Sequence, residues 1–421
     1  MKKLIAFLLC ICLLLTFAAC GETASQPAET QGETEPVDTF PYPEIKDLLT
    51  WEKINALPKK SANMTVQEMR ELCVECMRFC KTALWVPNYT ANYNRTNSAE
   101  DVMTQGVIYA GLPYIASATG NVYRMMDYIN EETGVLDLRM AMLNPSLFGN
   151  QCSGCTYWGG WGRVINSTEI VWTGAMTQAN GFLRVGPYTY QDNLEEFSTQ
   201  NSTKMICEQN GLTVMCESYA QMHLADGFVN YSSGGHTLMA TSEPHVEYFN
   251  GTIDPAKSYI LISEQGQVWQ DYKSEAGDTA QMKNSVDRQM TFMELYDNAY
   301  IPFTFAEFLG TDSVDETQCS IELTGDTVTS AQLFKAKVTA NYGISDIYVS
   351  LKDDSGKEVY RLATRATVSG VRELAITKNG TNTFVKGKYD DLSGSYAVEV
   401  SVQLSTGERP VVYTGTVAIE N

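Results

Sequence analysis

The chain has 421 residues, with 30 Lys and Arg against 50 Asp and Glu and a formal charge of −20. That balance argues against nucleic acid as a partner, because phosphate binding needs a basic surface. It also argues against direct docking on anionic lipid.

Residues 1–19 read as a signal peptide. Lys2-Lys3 is a positive n-region, and Leu4 to Ala19 is an apolar run too short to span a membrane comfortably. Phe17-Ala18-Ala19-Cys20 resembles a bacterial lipobox, with Phe17 where Leu is usual. That resemblance implies a diacylglycerol on Cys20 and a protein held on the outer face of a bacterial membrane by its buried acyl chains. Ordinary cleavage with Cys20 incidental is the competing reading. Loss of Lys2 and Lys3 with the leader takes the charge from −20 to −22. Residues 20–42 are the lipidated Cys and a tether of Glu, Thr, Gln, Pro and Ala, too poor in apolar groups to offset the entropy of ordering. The remaining length implies two or three domains.

Of the 11 cysteines, Cys10 and Cys12 leave with the leader. Cys73, Cys76, Cys80, Cys152, Cys155, Cys207, Cys216 and Cys319 remain beside Cys20. In an exported chain they point to a reducing habitat or a few disulfides. Cys207–Cys216 is the favoured bridge, since the pair flanks a hairpin-type Asn210-Gly211.

Thr65-Val66-Gln67-Glu68 is a capping box. Met69, Cys73, Cys76, Cys80 and Ala83 follow at helical spacing up to Trp85, and Pro87 ends the helix. The three cysteines on that stripe read as core filling. Residues 43–95 are expected to form a helical cap over a substrate groove, with Trp85 as a wall. Gly111-Leu112-Pro113-Tyr114 is a turn. Residues 152–166 should be helical, and their glycines, each costing about 1 kcal/mol relative to Ala, imply close backbone packing. Strands should dominate from Val164 to Val268. Thr291 to Leu309 closes this domain with Phe292, Leu295, Tyr296, Ile301 and Phe303 in its core, and Gly310 to Glu316 marks a boundary.

Residues 311–421 change character. Tyr396, Val398, Val400 and Val402 alternate with Ala397, Glu399 and Ser401, the period of a half-buried strand. Asp354-Ser355-Gly356-Lys357 and Ser405-Thr406-Gly407-Glu408 are hairpin-type turns. Several short strands in so short a stretch predict an immunoglobulin-like sandwich, without catalytic groups.

The chemistry is carried by Cys152 and His236. Only three histidines are present, so a cysteine nucleophile has few possible bases. Cys152 at a helix start gains a lowered thiol pKa from the helix dipole and free amides, and those amides can hold an oxyanion. His236 is the general base and acid. Glu264, ending the apolar run Ser258-Tyr259-Ile260-Leu261-Ile262-Ser263, needs a partner and is the expected orienter of the imidazole. Gln265 and Asp226 are the other candidates for that role, and His223 and His245 are the weaker bases.

At these positions the chain resembles the NlpC-type and CHAP-type cell-wall cysteine hydrolases. Their ordered motifs appear as Gly111-Leu112-Pro113-Tyr114, Gln151-Cys152-Ser153-Gly154, Ala225-Asp226, Gly235-His236 and Ile262-Ser263-Glu264. Gln151 stands for the usual Asp and Ala225 for the usual Gly. The resemblance covers about residues 100–270. It implies a papain-like α+β hydrolase domain over residues 43–310, Tyr114 and Ser153 at the oxyanion or substrate, and no metal or cofactor. It further implies a peptidoglycan stem peptide or another wall peptide as substrate. Three readings compete: a Cys152-Ser153-Gly154-Cys155 redox pair, zinc held by Cys152, Cys155, Cys207 and Cys216, and a non-catalytic binder of wall or protein on the same scaffold. The oligomeric state stays open.

Overall fold

The computed structural model describes residues 40–93, 101–115, 118–166, 173, 176, 181–189, 202–232, 234–310 and 314–419. The leader, Cys20 and the tether as far as residue 39 lie outside the described residues. Among the described residues, no helix is long and apolar enough to cross a membrane.

The capping box at Thr65 forms. Thr65 Oγ1 accepts from Glu68 N at 3.2 Å, and Glu68 Oε2 accepts from Thr65 N at 2.7 Å. The helix runs Val66–Thr82 and buries Cys73, Cys76 and Met77. It ends before Trp85, because Leu84–Pro87 is a strand buried along its whole length. Apolar and β-branched residues buried on both faces suit a central strand rather than another helical turn. It pairs antiparallel with Tyr109–Ala110 and parallel with Val135–Leu136.

These strands belong to a nine-stranded mixed sheet. Its spatial order is Val135–Leu136, Leu84–Pro87, Tyr109–Ala110, Thr279–Thr291, Tyr259–Lys273, His236–Ala240, Gly227–Asn230, Ile301–Thr304 and Leu183–Arg184. The helix at Cys152 spans Cys152–Gly159 and continues only as a 3-10 turn, Trp161–Arg163. The expected helix over 152–166 is therefore cut short at Gly160. A Cβ at Gly160 would clash with Met239 Cε and lie 3.1 Å from Cys73 O. That glycine lets the Cys152 helix approach the strand that carries His236.

The expected run of strands over 164–268 is interrupted by helical residues Ser202–Tyr219, kinked at Gly211 (φ 75°). Asn210-Gly211 is thus a break between helical segments, not a hairpin. Cys207 and Cys216 are both free, buried thiols, so the expected bridge is absent. Ile206, Cys207, Met215, Cys216 and Tyr219 pack into one core with Phe292, Leu295, Ile301 and Phe303. Hydrophobic burial of one helix face overrides the turn signal here.

After residue 314 the chain forms a three-stranded sheet (Cys319–Ile321, Lys337–Ala340, Glu373–Ala375) and a six-stranded one. The latter orders Thr327–Thr329, Val411–Ile419, Gly394–Leu404, Ile344–Lys352, Glu358–Arg365 and Thr383–Lys386. Val338 of the smaller sheet shares a core with Ile347, Leu362, Val400 and Val402 of the larger. The turns at 354–357 and 405–408 join antiparallel neighbours. The protein is α+β, with several sheets and few helices.

Tyr42–Asn421 form one compact unit. A buried charge cluster ties the two strand sets together. Arg124 Nε meets Asp346 Oδ1 at 3.0 Å with both side chains fully buried, and Arg124 Nη2 donates to Ser345 O and Ala366 O at 2.8 Å each. Arg365 Nη2 pairs with Asp127 Oδ2 at 2.6 Å, while its Nε lies 3.8 Å from Asp346. Two cations and two anions balance. Removing one leaves a buried charge uncompensated, which costs about 3–5 kcal/mol. Asp346→Ala should lose that much in urea unfolding, and a loss below about 1 kcal/mol would show that the cluster does not lock the seam.

Candidate active site

Cys152 is the first residue of its helix, after Gln151, whose side chain makes no capping bond. The first-turn amides of such a helix have no intrahelical acceptor. The segment before it is pinned. Asn150 Oδ1 accepts from Gln151 N at 2.8 Å, and Asn150 Nδ2 donates to Gly120 O at 2.6 Å. Asn150 N donates to Pro113 O at 3.0 Å, and Ile115 N donates to Asn150 O at 2.9 Å. The Gly111–Tyr114 turn is therefore hydrogen-bonded to the entrance of the Cys152 helix, and Tyr114 pairs with Asn150 in a β-bridge.

His236 opens the strand next to Tyr259–Lys273. Gly235 before it has φ +82°, and a Cβ there would meet Tyr231 and Thr173 at 3.1 and 3.2 Å. Only glycine takes that turn without strain. Glu264 follows a register shift after Ile262, so it lies inside a long strand rather than at a strand end. Its Oε2 lies 2.7 Å from His236 Nε2. Its Oε1 accepts from Arg288 Nη2 at 2.9 Å and from Arg288 Nε at 3.1 Å. With Nε2 engaged by Glu264, Nδ1 is the ring nitrogen left to face Cys152.

Cys152 Sγ lies 3.6 Å from Thr173 Oγ1, and His236 is its main polar neighbour. Burial alone would raise the thiol pKa. The His236 ring and its charge, the Thr173 hydroxyl and the Thr237 amide outweigh it, so the thiol pKa is lowered. Burial of His236 favours the neutral ring, but the neighbouring Cys152 and Glu264 lift its pKa to about 9. Burial of Glu264 favours its protonated form, yet His236 and Arg288 bring it down to about 2. The line Cys152, His236, Glu264, Arg288 thus favours alternating charge, from thiolate to guanidinium. In contrast, burial pushes Cys73, Cys76, Cys80, Cys207, Cys216 and Cys319 up.

The other expected residues fall as follows. His223 and His245 are exposed and pair with Glu243 and Glu247. Asp226 is buried against Arg70 at 2.7 Å and is structural. Gln265 accepts from Lys81 Nζ at 2.8 Å and donates to Leu112 O at 2.7 Å, away from the imidazole. Ser153 is buried, so its amide is the group it can offer. Trp85 is no groove wall. It has no exposed surface, donates to Gly111 O at 2.8 Å and stacks on Tyr109. Nor are residues 43–95 a cap, because the helix Val66–Thr82 lies in the core that includes Cys155 and Trp158. Arg288 and Thr173 were not read from the sequence. No motif marks either, and Arg288 reaches Glu264 only through the pairing of two strands. Among the described residues, no group of three or more His, Cys, Asp or Glu is placed to hold a metal ion.

A pocket of about 480 Å³ opens on Tyr114, Gly235, His236, Glu264 and Asn284. Cys152 is only 4 % exposed, and Thr173 lies 3.6 Å from its sulfur and within 3.2 Å of a Cβ at Gly235. No protein-family model and no curated protein matches this chain.

Two outcomes follow from this geometry. His236 has a pKa raised from 6.5, so its contribution to stability is complete below 6.5 and is lost as pH rises through about 9. Glu264 has a pKa depressed from 4.5, so its contribution is complete above 4.5 and is lost as pH falls through about 2. Cys152, with its pKa lowered, works in the opposite sense, so between pH 6.5 and the free-thiol range the folded and unfolded pairs hold the same single proton. Melting temperature should therefore stay flat there and fall on the acid side as Glu264 takes up its proton, and His236→Ala should weaken that acid limb because Glu264 then keeps only Arg288. An unchanged acid limb in the variant would refute the coupling. Separately, Ala225 sits at φ +65°, held by bonds from its N to Ala240 O and from Trp161 Nε1 to its O. The left-handed region costs a non-glycine residue about 1–2 kcal/mol, against about 0.5–1 kcal/mol for the flexibility of glycine. Ala225→Gly should raise denaturant stability by up to about 1 kcal/mol, and any loss would contradict the strain.

Proposed function

We propose that this chain is a papain-like cysteine hydrolase that cleaves amide bonds, with peptidoglycan stem peptides as its substrate class. The observation that carries the reading is the Glu264–His236 bond at 2.7 Å beside a thiol whose pKa is lowered. On this reading residues 43–310 are the hydrolase domain, and residues 311–421 are an immunoglobulin-like sandwich that spaces or docks it. Cys20 carries the lipid that holds the protein on the outer face of the membrane, within reach of the wall.

The Cys152 thiolate attacks the amide carbonyl carbon, and the carbonyl π electrons move to oxygen. The first-turn amides of the Cys152 helix stabilise that oxyanion, with the Tyr114 turn beside them. The His236 imidazolium gives its proton to the amide nitrogen, the C–N bond breaks and an amine leaves. A thioester remains on Cys152. Neutral His236 then takes a proton from water as the water oxygen attacks the thioester. The acid departs, and the Cys152 thiolate and His236 imidazolium are restored. Glu264 and Arg288 are positioning residues: they hold the ring orientation and stabilise its charge.

A second reading is a non-catalytic binder of wall peptide on the same scaffold. The 4 % exposure of Cys152 favours it, since a nucleophile must be reached. Purified protein, wild type and Cys152→Ala, should be incubated with peptidoglycan and the newly freed amines counted. The hydrolase reading expects amines from wild type alone, with a rate that falls as pH rises through about 9. No amines from any of several walls, with iodoacetamide labelling of Cys152 that follows an ordinary thiol near about 8.5, would establish the binder instead.

A further inference from the structure

Four non-glycine residues among those described have a positive φ, and Asp287 (φ 52°) is the one that lies inside a strand, Thr279–Thr291. The pairing of that strand with Tyr259–Lys273 slips at the same place. Ile262 pairs with Arg288, whereas Glu264 pairs with Ser285. Val286 and Asp287 therefore stand opposite the single residue Ser263, which is a β-bulge. In regular register Val286 would face Glu264 across the strands and set a branched apolar side chain against that carboxylate. The extra residue puts Ser285 there instead, in the wall of the pocket beside His236. A bulge also bends its strand and re-aims the side chain next to it. Here that side chain is Arg288, whose Nη2 and Nε donate to Glu264 Oε1 at 2.9 and 3.1 Å.

A left-handed backbone is unfavourable for a residue with a Cβ, although Asp takes it more readily than most. The surroundings of Asp287 hold it there. Its amide donates to Ser263 Oγ at 3.3 Å. Arg78 Nε donates to Asp287 Oδ2 at 2.9 Å and Arg78 Nη2 to Oδ1 at 3.0 Å, a two-pronged charged bond. Arg78 Nη2 also donates to Thr241 O at 3.1 Å, and Arg78 belongs to the helix Val66–Thr82. The bulge is thus clamped to an element outside the hairpin. Strained residues that the surrounding structure holds in place cluster at active sites.

We propose that Asp287 is a positioning residue of the Cys152 site: its left-handed backbone, clamped by Arg78, keeps the Arg288 fork on Glu264 and so keeps His236 turned towards Cys152. Asp287 acts through Arg288, and the clamp offsets the strain of its backbone. Glycine takes that backbone unstrained and needs no clamp. The inference rests on the hydrolase reading for the reaction that this line of residues serves.

The test has two readouts. One is the hydrogen-bonded Nε–H signal of Arg288 in nitrogen-15 NMR at neutral pH, assigned with Arg288→Lys. The other is the pH midpoint of iodoacetamide labelling of Cys152, which reports His236 as the titratable group that meets the thiol. Asp287→Val and Arg78→Met should each lose the Arg288 signal. Each should also move the labelling midpoint up towards about 8.5, slowing labelling at about pH 6 by about tenfold. Asp287→Gly should keep the signal and label within about twofold of wild type, and it should restore both readouts in Arg78→Met. A persisting Arg288 signal in Asp287→Val overturns the assignment, and so does a lost signal with an unmoved midpoint. If Asp287→Val fails to fold, Arg78→Met decides by the same two readouts, since its side chain is 43 % exposed. Asp287→Gly behaving like Asp287→Val is equally fatal, because the backbone would then not be what matters. The expected pattern in a wild type that frees no amines from any wall would sink the hydrolase reading and leave Asp287 as the residue that sets the thiol–imidazole pair.

Discussion

Glu264 holds two partners with its two carboxylate oxygens: His236 on one, Arg288 on the other. A carboxylate this buried would ordinarily take up a proton to escape the cost of desolvation. Gripped between an imidazole and a guanidinium, it stays ionised, and Cys152 and Glu264 together keep the imidazole protonated. The protonated ring in turn lowers the pKa of a thiol that its own burial would raise. Every other feature of the site either brings these four groups together or keeps them there.

Bringing them together is the work of backbone geometry. Gly160 lets the Cys152 helix lie close to the His236 strand, and Gly235 turns the chain so that His236 faces the helix. The register shift after Ile262 places Glu264 in line with the ring. The hairpin partner strand supplies Arg288, and the Tyr114 turn is bonded to Asn150 just ahead of Cys152. None of these contacts contributes much individually. Together they hold three side chains from three elements at hydrogen-bonding separation, which is the preorganisation that acid–base chemistry requires.

Stability is organised around a second buried set of charges, far from that chemistry in sequence. Arg124, Asp127, Asp346 and Arg365 join the strand sets on either side of residue 310. Such a cluster gains little over apolar packing, but it penalises any arrangement that leaves one member alone. It therefore specifies how the two halves meet more than it strengthens them. The chain carries a formal charge of −20, so matching two anions with two cations inside also avoids adding to self-repulsion.

What could be read from the residues alone was local chemistry. The Thr65 capping box, the apolar stripe of Cys73, Cys76 and Cys80, the turns of the last hundred residues and the triad of Cys152, His236 and Glu264 each rest on neighbours in sequence or on a short roster of capable residue types. With only three histidines, the base was nearly determined by elimination. Misreadings arose where packing overrode local preference. Asn210-Gly211 carried a hairpin signal but became a helix kink, because the apolar residues on both sides needed the same core. Trp85 carried the look of a groove wall but became a central strand, because both its faces could be buried. Arg288, Thr173 and Asp287 had no local signal at all. Their roles come from strand register and loop approach, and these follow from how long stretches of chain pair across space, which no short window of residues encodes.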